Sequence, residues 1–470
     1  MRSSAALAPT RRRLSGWGLT NPTTADTHEC SSADRTSLTE ALTAAGDRGA
    51  LARGLGRSYG DAAQNGGGLV VRLVDGDDGI RLTADGVVTV AAGVSLDALL
   101  RVVVPQGWFV PVTPGTRFVT VGGAVACDIH GKNHHLEGSF GSHVTALTLL
   151  LASGEVVTVS PSLRPDLFWA TIGGMGLTGI VLEVSFRLLP IATSRMSVDT
   201  SRLPDLESLM AEMSEGDDRF RYSVAWIDLV AKGRSLGRSV LTRGDHAALD
   251  QLGPDSAGSP LGYGPRQLAS VPPVVPPMGV LNHATIAAFN ELWYRKAPRR
   301  RVGEVQGLAQ FFHPLDFVGS WNRLYGTQGM VQYQFVVPFG EERALRTVVE
   351  RLSSSGAASF LAVLKRFGEG NAAPLGFPRA GWTLALDLPG GSHGLGDLLH
   401  GLDRVVLDAG GRHYLAKDSH TTPDAVRRGY PRLAEWQEVR ASVDPDGLWQ
   451  SDLSRRLGLT SVPLDRPRAS

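Results

Sequence analysis

Short apolar runs closed off by glycine fill the first 190 residues of the chain. They are Gly68-Leu-Val-Val71, Gly86-Val-Val-Thr-Val-Ala-Ala-Gly93, Ala146-Leu-Thr-Leu-Leu-Leu151 and Gly154-Glu-Val-Val-Thr-Val159. Their length, valine content and glycine boundaries predict β-strands. A different period interrupts them. Leu96, Leu99 and Leu100 recur at helical spacing and predict a helix over 95–104. Ser37 with Glu40 three residues on reads as the capping box of a helix over 36–46. Strands and helices mix without regular βαβ units, which is an α+β pattern. Leu189-Pro190 closes this glycine-rich part. Beyond it the pattern predicts helices over 204–214 and 341–353 and an aromatic strand, Val331-Gln-Tyr-Gln-Phe-Val-Val337. Proline and glycine crowd 253–280, where a mobile loop is expected. A basic run follows (Arg295, Lys296, Arg299, Arg300, Arg301), and residues 412–457 read as helical and charged.

Composition narrows the class. The 470 residues suggest two or three domains, or one large domain with an insertion, and 42% hydrophobic content argues against long-range disorder. A net charge of +1 argues against a dedicated nucleic-acid binder. Two cysteines, Cys30 and Cys127, exclude a disulfide scaffold and a cysteine zinc finger. The 56 glycines are not periodic, so collagen is excluded. Thr10-Arg11-Arg12-Arg13-Leu14 is faintly like a twin-arginine signal, but no apolar segment follows it. No stretch reaches 18 apolar residues, so no spanning helix is expected. Folding in the cytoplasm is the expectation, with peripheral membrane attachment open. Only five of the 47 basic residues are lysines: Lys132, Lys232, Lys296, Lys365 and Lys417. A GC-rich genome is the plain explanation; a surviving lysine is then a candidate for a position that needs its ammonium group.

Three glycine loops carry the candidate chemistry. The first is Ala52-Arg53-Gly54-Leu55-Gly56-Arg57-Ser58-Tyr59-Gly60-Asp61-Ala62. Its G-x-G-x-x-x-G spacing does not fit the Rossmann fingerprint, and no long amphipathic helix follows. It still suits a diphosphate, because glycines let consecutive backbone N–H groups approach phosphate oxygens. A simple glycine hairpin is the alternative. The second runs through Pro114-Gly115-Thr116 and Thr120-Val121-Gly122-Gly123 to Cys127-Asp128-Ile129-His130-Gly131-Lys132-Asn133-His134-His135. A Gly-Gly pair followed by small residues suits a helix start facing an anion. Adjacent His134 and His135 diverge on a strand or a helix, so no metal site is expected; a polar turn is the alternative. Cys127 reads as a small buried residue, not a nucleophile. The third is Gly173-Gly174-Met175-Gly176-Leu-Thr-Gly179-Ile-Val181, a glycine turn feeding an apolar strand.

Three such loops in this order resemble flavoproteins of the vanillyl-alcohol-oxidase type, the para-cresol-methylhydroxylase fold. Longer segments narrow the likeness. The first loop, the Cys127–His135 segment, Glu291-Leu-Trp-Tyr-Arg-Lys296, Phe311-Phe-His-Pro-Leu-Asp316 and Ala416-Lys-Asp-Ser419 are similar to those of the decaprenylphosphoryl-β-D-ribose 2-oxidases. These are the flavin half of the epimerase that makes decaprenylphosphoryl-arabinose for the cell wall. The resemblance covers about 14–457. It implies a two-domain α+β FAD-binding oxidase, not a Rossmann fold. The FAD-binding domain would comprise 7–193 and 412–457, the substrate domain 194–411 with a mobile loop over about 253–301, and 458–470 would be a tail. FAD contacts are implied for Arg53 to Ala62, Gly115, Thr120 to Gly123, Cys127 to His130, Val181 and Tyr414. Substrate contacts are implied for Lys132, Trp226, Phe312, Gln334, Lys365, Thr383, Ala385 and Lys417. Two departures matter. Arg57 stands where many relatives of the wider fold carry a flavin-linking histidine, so FAD is expected to be non-covalent. Ala385 stands where this family carries the cysteine captured by covalent nitroaromatic inhibitors, and without a thiolate no adduct is expected. Thr383 also replaces an asparagine.

The implied reaction is oxidation of the ribose C2 hydroxyl to a 2-keto sugar, with an NAD(P)H-dependent short-chain reductase as partner. Lys417, beside Tyr414, is the first candidate for handling the hydroxyl proton or stabilising reduced flavin, and His130 is the second. Gln334 and Lys365 would position sugar and phosphate. The proline-rich loop and the basic run offer a membrane-facing gate, with an ordinary solvated loop as the alternative. The resemblance implies a cytoplasmic or peripheral envelope location, and the family is also assigned to the periplasm. A soluble alditol or aldonolactone oxidase on the same fold is the alternative enzyme. A flavin-binding module without turnover is the alternative class.

Overall fold

Glycine-bounded valine runs pair into two sheets in the first part of the chain. The structure is a computed structural model and describes residues 9–460 apart from Met278 and Ala358; residues 7 and 8 of the expected FAD-binding part and 461–470 of the expected tail lie outside the described residues. Leu69–Leu73 lies between Thr23–Cys30 and Ala50–Arg53, parallel to both, and Thr10–Leu14 adds antiparallel to the outer side. The other runs form an antiparallel sheet ordered Ile80–Leu82, Val87–Ala91, Ile180–Arg187, Val144–Leu150, Val156–Val159. The Leu96–Val103 helix packs into the same core through Leu96, Leu99, Leu100 and Val103, the face its leucine spacing selects. Ser95 caps it by accepting the Ala98 N–H. The first helix runs over Arg35–Thr43 and differs at its start. Asp34, not Ser37, is the cap, because its carboxylate accepts the Ser37 N–H.

The second body is one antiparallel sheet of eight strands. Its order is Arg300–Gly307, Arg195–Leu203, Ser239–His246, Tyr222–Ile227, Ala362–Phe367, Gly381–Pro389, Met330–Val337, Arg412–His413. Three amphipathic helices, Leu206–Gly216, Glu342–Ser355 and Leu395–Asp408, bury Leu209, Leu345 and Leu399 with Ala225, Leu241, Leu364 and Leu384 on one face of the sheet. The other face is turned toward the first body. After Arg412–His413 the chain leaves this sheet and returns to the first body. Arg456 donates to both oxygens of Asp61 at 2.8 and 2.7 Å, and the Trp436 indole N–H donates to Ala170 O at 2.9 Å.

The segment expected to be a mobile loop over 253–301 is not a loop throughout. Residues His283–Lys296 form a 14-residue helix, and the edge strand begins at Arg300. The helix exists because Asn282 caps it through Ala284 and Thr285. It is held down by buried Ile286 and by Asn290, whose amide donates to Asp228 at 2.8 Å. Proline content predicts the irregular 258–280 stretch but not this helix. Among the described residues, no helix is long and apolar enough to cross a membrane.

Candidate active site

A cavity of about 850 Å³ separates the two bodies, and both contribute its walls. The first wall is backbone. The strand Ala50–Arg53 ends in the first glycine loop, and Gly56 takes a left-handed φ of +65°. A Cβ on Gly54 would lie 2.3 Å from Thr120 Oγ1, so only glycine lets the loop lie against the start of the short helix Val121–Ala126. The N–H groups of Leu55, Gly56, Arg57 and Ser58 have no acceptor among the described residues. Such a run of unpaired donors along a cavity fits an anionic diphosphate. The wall continues through Gly115, Thr120, Gly122, Gly123, Cys127, Ile129, Gly176, Val181 and Tyr414. The glycines, Thr120 and Cys127 among them leave room for a flat ring system, so the residues present fit FAD.

Arg57 folds back: its guanidinium lies 4.2 Å from the Trp17 ring centroid and donates to Leu55 O at 2.9 Å. Arg53 is likewise engaged, donating to Ala63 O and Ser15 O at 2.6 and 2.7 Å. Four residues expected to touch FAD do not border the cavity: Gly60, Asp61, Val121 and Asp128. A Cβ on Gly60 would meet Asp418 O at 1.9 Å, so this glycine serves chain packing. Asp61 holds Arg456, Val121 is wholly buried, and Asp128 accepts from Ser139 and from the Gly141 N–H at 2.7 and 2.8 Å. Thr383, expected on the substrate side, does not border the cavity; it shares the Ala385 face of its strand, accepts from the Gln334 amide at 3.3 Å and donates to Phe335 O at 2.8 Å. In the first four cases a loop that presents its backbone to the cavity turns some of its own side chains into the protein.

The second wall is side chain. His130, Lys132, Trp226, Phe312, Gln334, Lys365, Ala385 and Lys417 all border the cavity. His130 sits among Phe367, Phe377 and Tyr414, at centroid distances of 4.9, 5.5 and 5.0 Å. The Gln334 amide donates to His130 Nε2 at 2.9 Å, which assigns the ring proton to Nδ1. His130 Nδ1 has no partner among the described residues. Burial, followed by the Lys365 charge, pushes the His130 pKa well down, so the ring is neutral. Tyr414 donates its hydroxyl to Cys127 O at 2.7 Å, and burial pushes its pKa up. Its proton is therefore committed to holding the wall.

Three of the five lysines, Lys132, Lys365 and Lys417, meet at this end of the cavity, and Lys296 borders it farther out. Burial lowers Lys132 to about 7 and Lys365 to about 8, and in each case a neighbouring lysine charge adds to the effect. Lys132 donates to Phe311 O and lies 4.2 Å from the Phe311 ring centroid. Lys365 Nζ has no acceptor among the described residues. Lys417 Nζ lies 4.0 Å from the Tyr59 ring centroid; burial lowers its pKa and the Asp387 carboxylate opposes that shift. All three are half-buried, with part of each side chain open to the cavity. Sequence reasoning missed Gln332 and Asp387. Gln332 donates to one Asp387 oxygen, the other oxygen is unpaired, and burial raises the Asp387 pKa. The signal for Gln332 was available, because it lies two residues before Gln334 on one strand and shares its face. Asp387 lies two residues beyond Ala385 in the same way.

Known proteins fit this geometry. The model of an FAD binding domain matches residues 32–160, and the model of a D-arabinono-1,4-lactone oxidase matches 394–457. The chain is 47% identical over 468 residues to the decaprenylphosphoryl-beta-D-ribose oxidase of Mycolicibacterium smegmatis, covering 97% of this chain and all of that protein. It is 42% identical to an uncharacterised protein of Streptomyces coelicolor, covering 78% of this chain and all of that one. A D-arabinono-1,4-lactone oxidase of Yarrowia lipolytica is 28% identical over 177 residues, 38% of this chain and 31% of its own length. With an FAD-binding fold and a full-length relative of this identity, the chain belongs to the decaprenylphosphoryl-beta-D-ribose oxidase family of FAD-dependent oxidoreductases.

Proposed function

We propose that the chain oxidises the ribose C2 hydroxyl of decaprenylphosphoryl-β-D-ribose to the 2-keto sugar. The observation that carries this reading is the lysine cluster. Lys132, Lys365 and Lys417 border the same cavity as the unpaired N–H groups of the first glycine loop. Two depressed ammonium groups and no counter-ion on Lys365 call for an anion, and a sugar phosphate supplies one. FAD, when bound, supplies the two-electron acceptor. The chain's own residues do the rest. Lys132 and Lys365 hold the phosphate, Gln334 orients the sugar, and Lys417 takes the hydroxyl proton at Nζ. Burial favours the free amine on Lys417, whereas the His130 Nε2 lone pair is taken by Gln334. His130 instead offers its Nδ1–H as a fixed donor.

FAD is non-covalent in this reading, and acid precipitation would release it into the supernatant. The FAD-binding domain is 7–193 with 412–457, and 194–411 is the substrate domain. The keto product requires a hydride donor, for which an NAD(P)H-dependent reductase is the partner. The helix His283–Lys296 and the following strand, with exposed Leu292, Trp293 and Val302 and the basic run, provide a peripheral contact with an anionic membrane. The test is an anaerobic visible spectrum before and after adding polyprenylphosphoryl ribose. Bleaching of the flavin band is expected. A second reading, an aldonolactone or alditol oxidase, draws on the match at 394–457, which includes Tyr414 and Lys417. Bleaching by a free polyol or lactone but not by the lipid would favour it.

A further inference from the structure

One face of the eight-stranded sheet is packed by helices, and the other borders the cavity. Cross-strand partners on the cavity face form a continuous row. Gln334 opposes Ala385, Ala385 opposes Val363, Val363 opposes Trp226, and Trp226 opposes Val240. A second row continues it outward, with Val224 opposite Thr242, Thr242 opposite Thr200, and Thr200 opposite Arg301. Each of these nine residues borders the cavity. Their neighbours Leu364, Ala225 and Leu241 lie in the helix-covered core, as alternation requires. The strip crosses six strand-to-strand intervals, about 29 Å at ~4.8 Å each.

Its chemistry changes along its length. The inner end carries Gln334 and, one residue pair away, Lys365. The middle is apolar: Ala385, Val363, Trp226, Val224 and Val240. The outer end carries Arg301, with Trp293 and Lys296 from the helix His283–Lys296 also bordering the cavity. Val224, Trp226 and Val363 stand in the interior of the sheet yet are only half-buried, because the cavity is what they face.

We propose that this strip seats the first isoprene units of the substrate's prenyl chain, and that the chain leaves between the helix His283–Lys296 and the strand Arg300–Gly307. The occupant follows from order: a hydroxyl-binding end, a cation for phosphate, then an apolar track interrupted only toward its exit, by the hydroxyls of Thr242 and Thr200. The proposal rests on the proposed function, since it takes the sugar phosphate at the inner end as given. The exposed Leu292, Trp293 and Val302 with the outer cations then hand the chain to a lipid surface.

The test is anaerobic flavin reduction of the holoenzyme by ribosyl phosphates carrying one, three or ten isoprene units. The KM falls at least about tenfold from one unit to three, because each added methylene that leaves water strengthens binding, and changes little from three to ten. Thr242→Trp fills the track, and the advantage of three units over one drops below about twofold. Thr200→Trp, nearer the exit, serves if the first variant fails to fold. Flavin content and the KM of the one-unit substrate separate a blocked track from general damage. A KM independent of chain length in the parent overturns the track while leaving the oxidase reading intact. Failure of every chain length to reduce the flavin overturns both.

Discussion

The two walls of the cavity bind through different atoms. The glycine-loop wall presents backbone N–H groups, with Leu55 to Ser58 unpaired and side chains such as Arg57 and Asp61 turned to structural partners. The side-chain wall gathers lysines and glutamines at its inner end, and along the sheet it presents side chains at period two, valines in the middle and Arg301 at the far end. A backbone wall recognises what any flavin dinucleotide has in common and needs space more than identity. A side-chain wall recognises one substrate and depends on the residue at each position. The two therefore respond differently to mutation.

Removing chemistry from the side-chain wall has the largest expected effect. Lys417→Ala lowers kcat by about 10²–10⁴-fold, the usual worth of a positioned acid or base, while flavin absorbance per protein stays at the parent value. Turnover within tenfold of the parent would remove Lys417 from the proton step. Adding bulk to the backbone wall comes next. Gly54→Val forces a Cβ into Thr120 Oγ1, and overpacking of this kind costs about 1–3 kcal/mol. FAD then binds roughly 5–150-fold more weakly, by titration of the apoprotein, and saturating FAD restores the KM for the lipid substrate. A lasting rise in that KM at saturating FAD would mean that the walls are not separable.

The same contrast decides what the sequence made legible. The glycine loops and the helix Leu96–Val103 could be read directly, because local geometry needs local residue types. The parts that depend on long-range register could not. Asp387 faces Lys417 only because the strand Gly381–Pro389 pairs with Met330–Val337 in one register. Gly60, Asp61, Val121 and Asp128 carry the motif's signal but stand off the cavity wall, because a motif constrains both the atoms facing a ligand and those bracing the loop. The helix His283–Lys296 was hidden by neighbouring prolines, although Asn282 marks its start. The lysines were found through their scarcity and the resemblance; their convergence on one cavity required the fold.

A pH series separates the lysines by role. Lys132 and Lys365, lowered to about 7 and 8, lose their charge as pH rises through those values. The KM for the phospholipid substrate should therefore climb above about pH 8, by up to about tenfold per unit. Lys417 acts in the opposite sense: its neutral form accepts the proton, so kcat rises with pH through its own pKa. The ratio kcat/KM is bell-shaped, and a KM flat to pH 10 would dissociate Lys132 and Lys365 from the phosphate.

Asp387 yields the smallest and most specific effect. It touches neither the cavity nor a proposed reacting atom, but its carboxylate raises the Lys417 pKa against burial. Asp387→Asn keeps the shape and the Gln332 contact while removing the charge. The Lys417 pKa then falls, and the acid limb of the kcat profile moves to lower pH. At pH 8 and above, kcat changes less than about threefold, because at least about half of the amine is already free there. A uniform loss of kcat at all pH values, with the limb in place, would mean that Asp387 only packs the strand. A shifted limb with an unchanged plateau would make it a positioning residue, set in the side-chain wall behind the group it tunes.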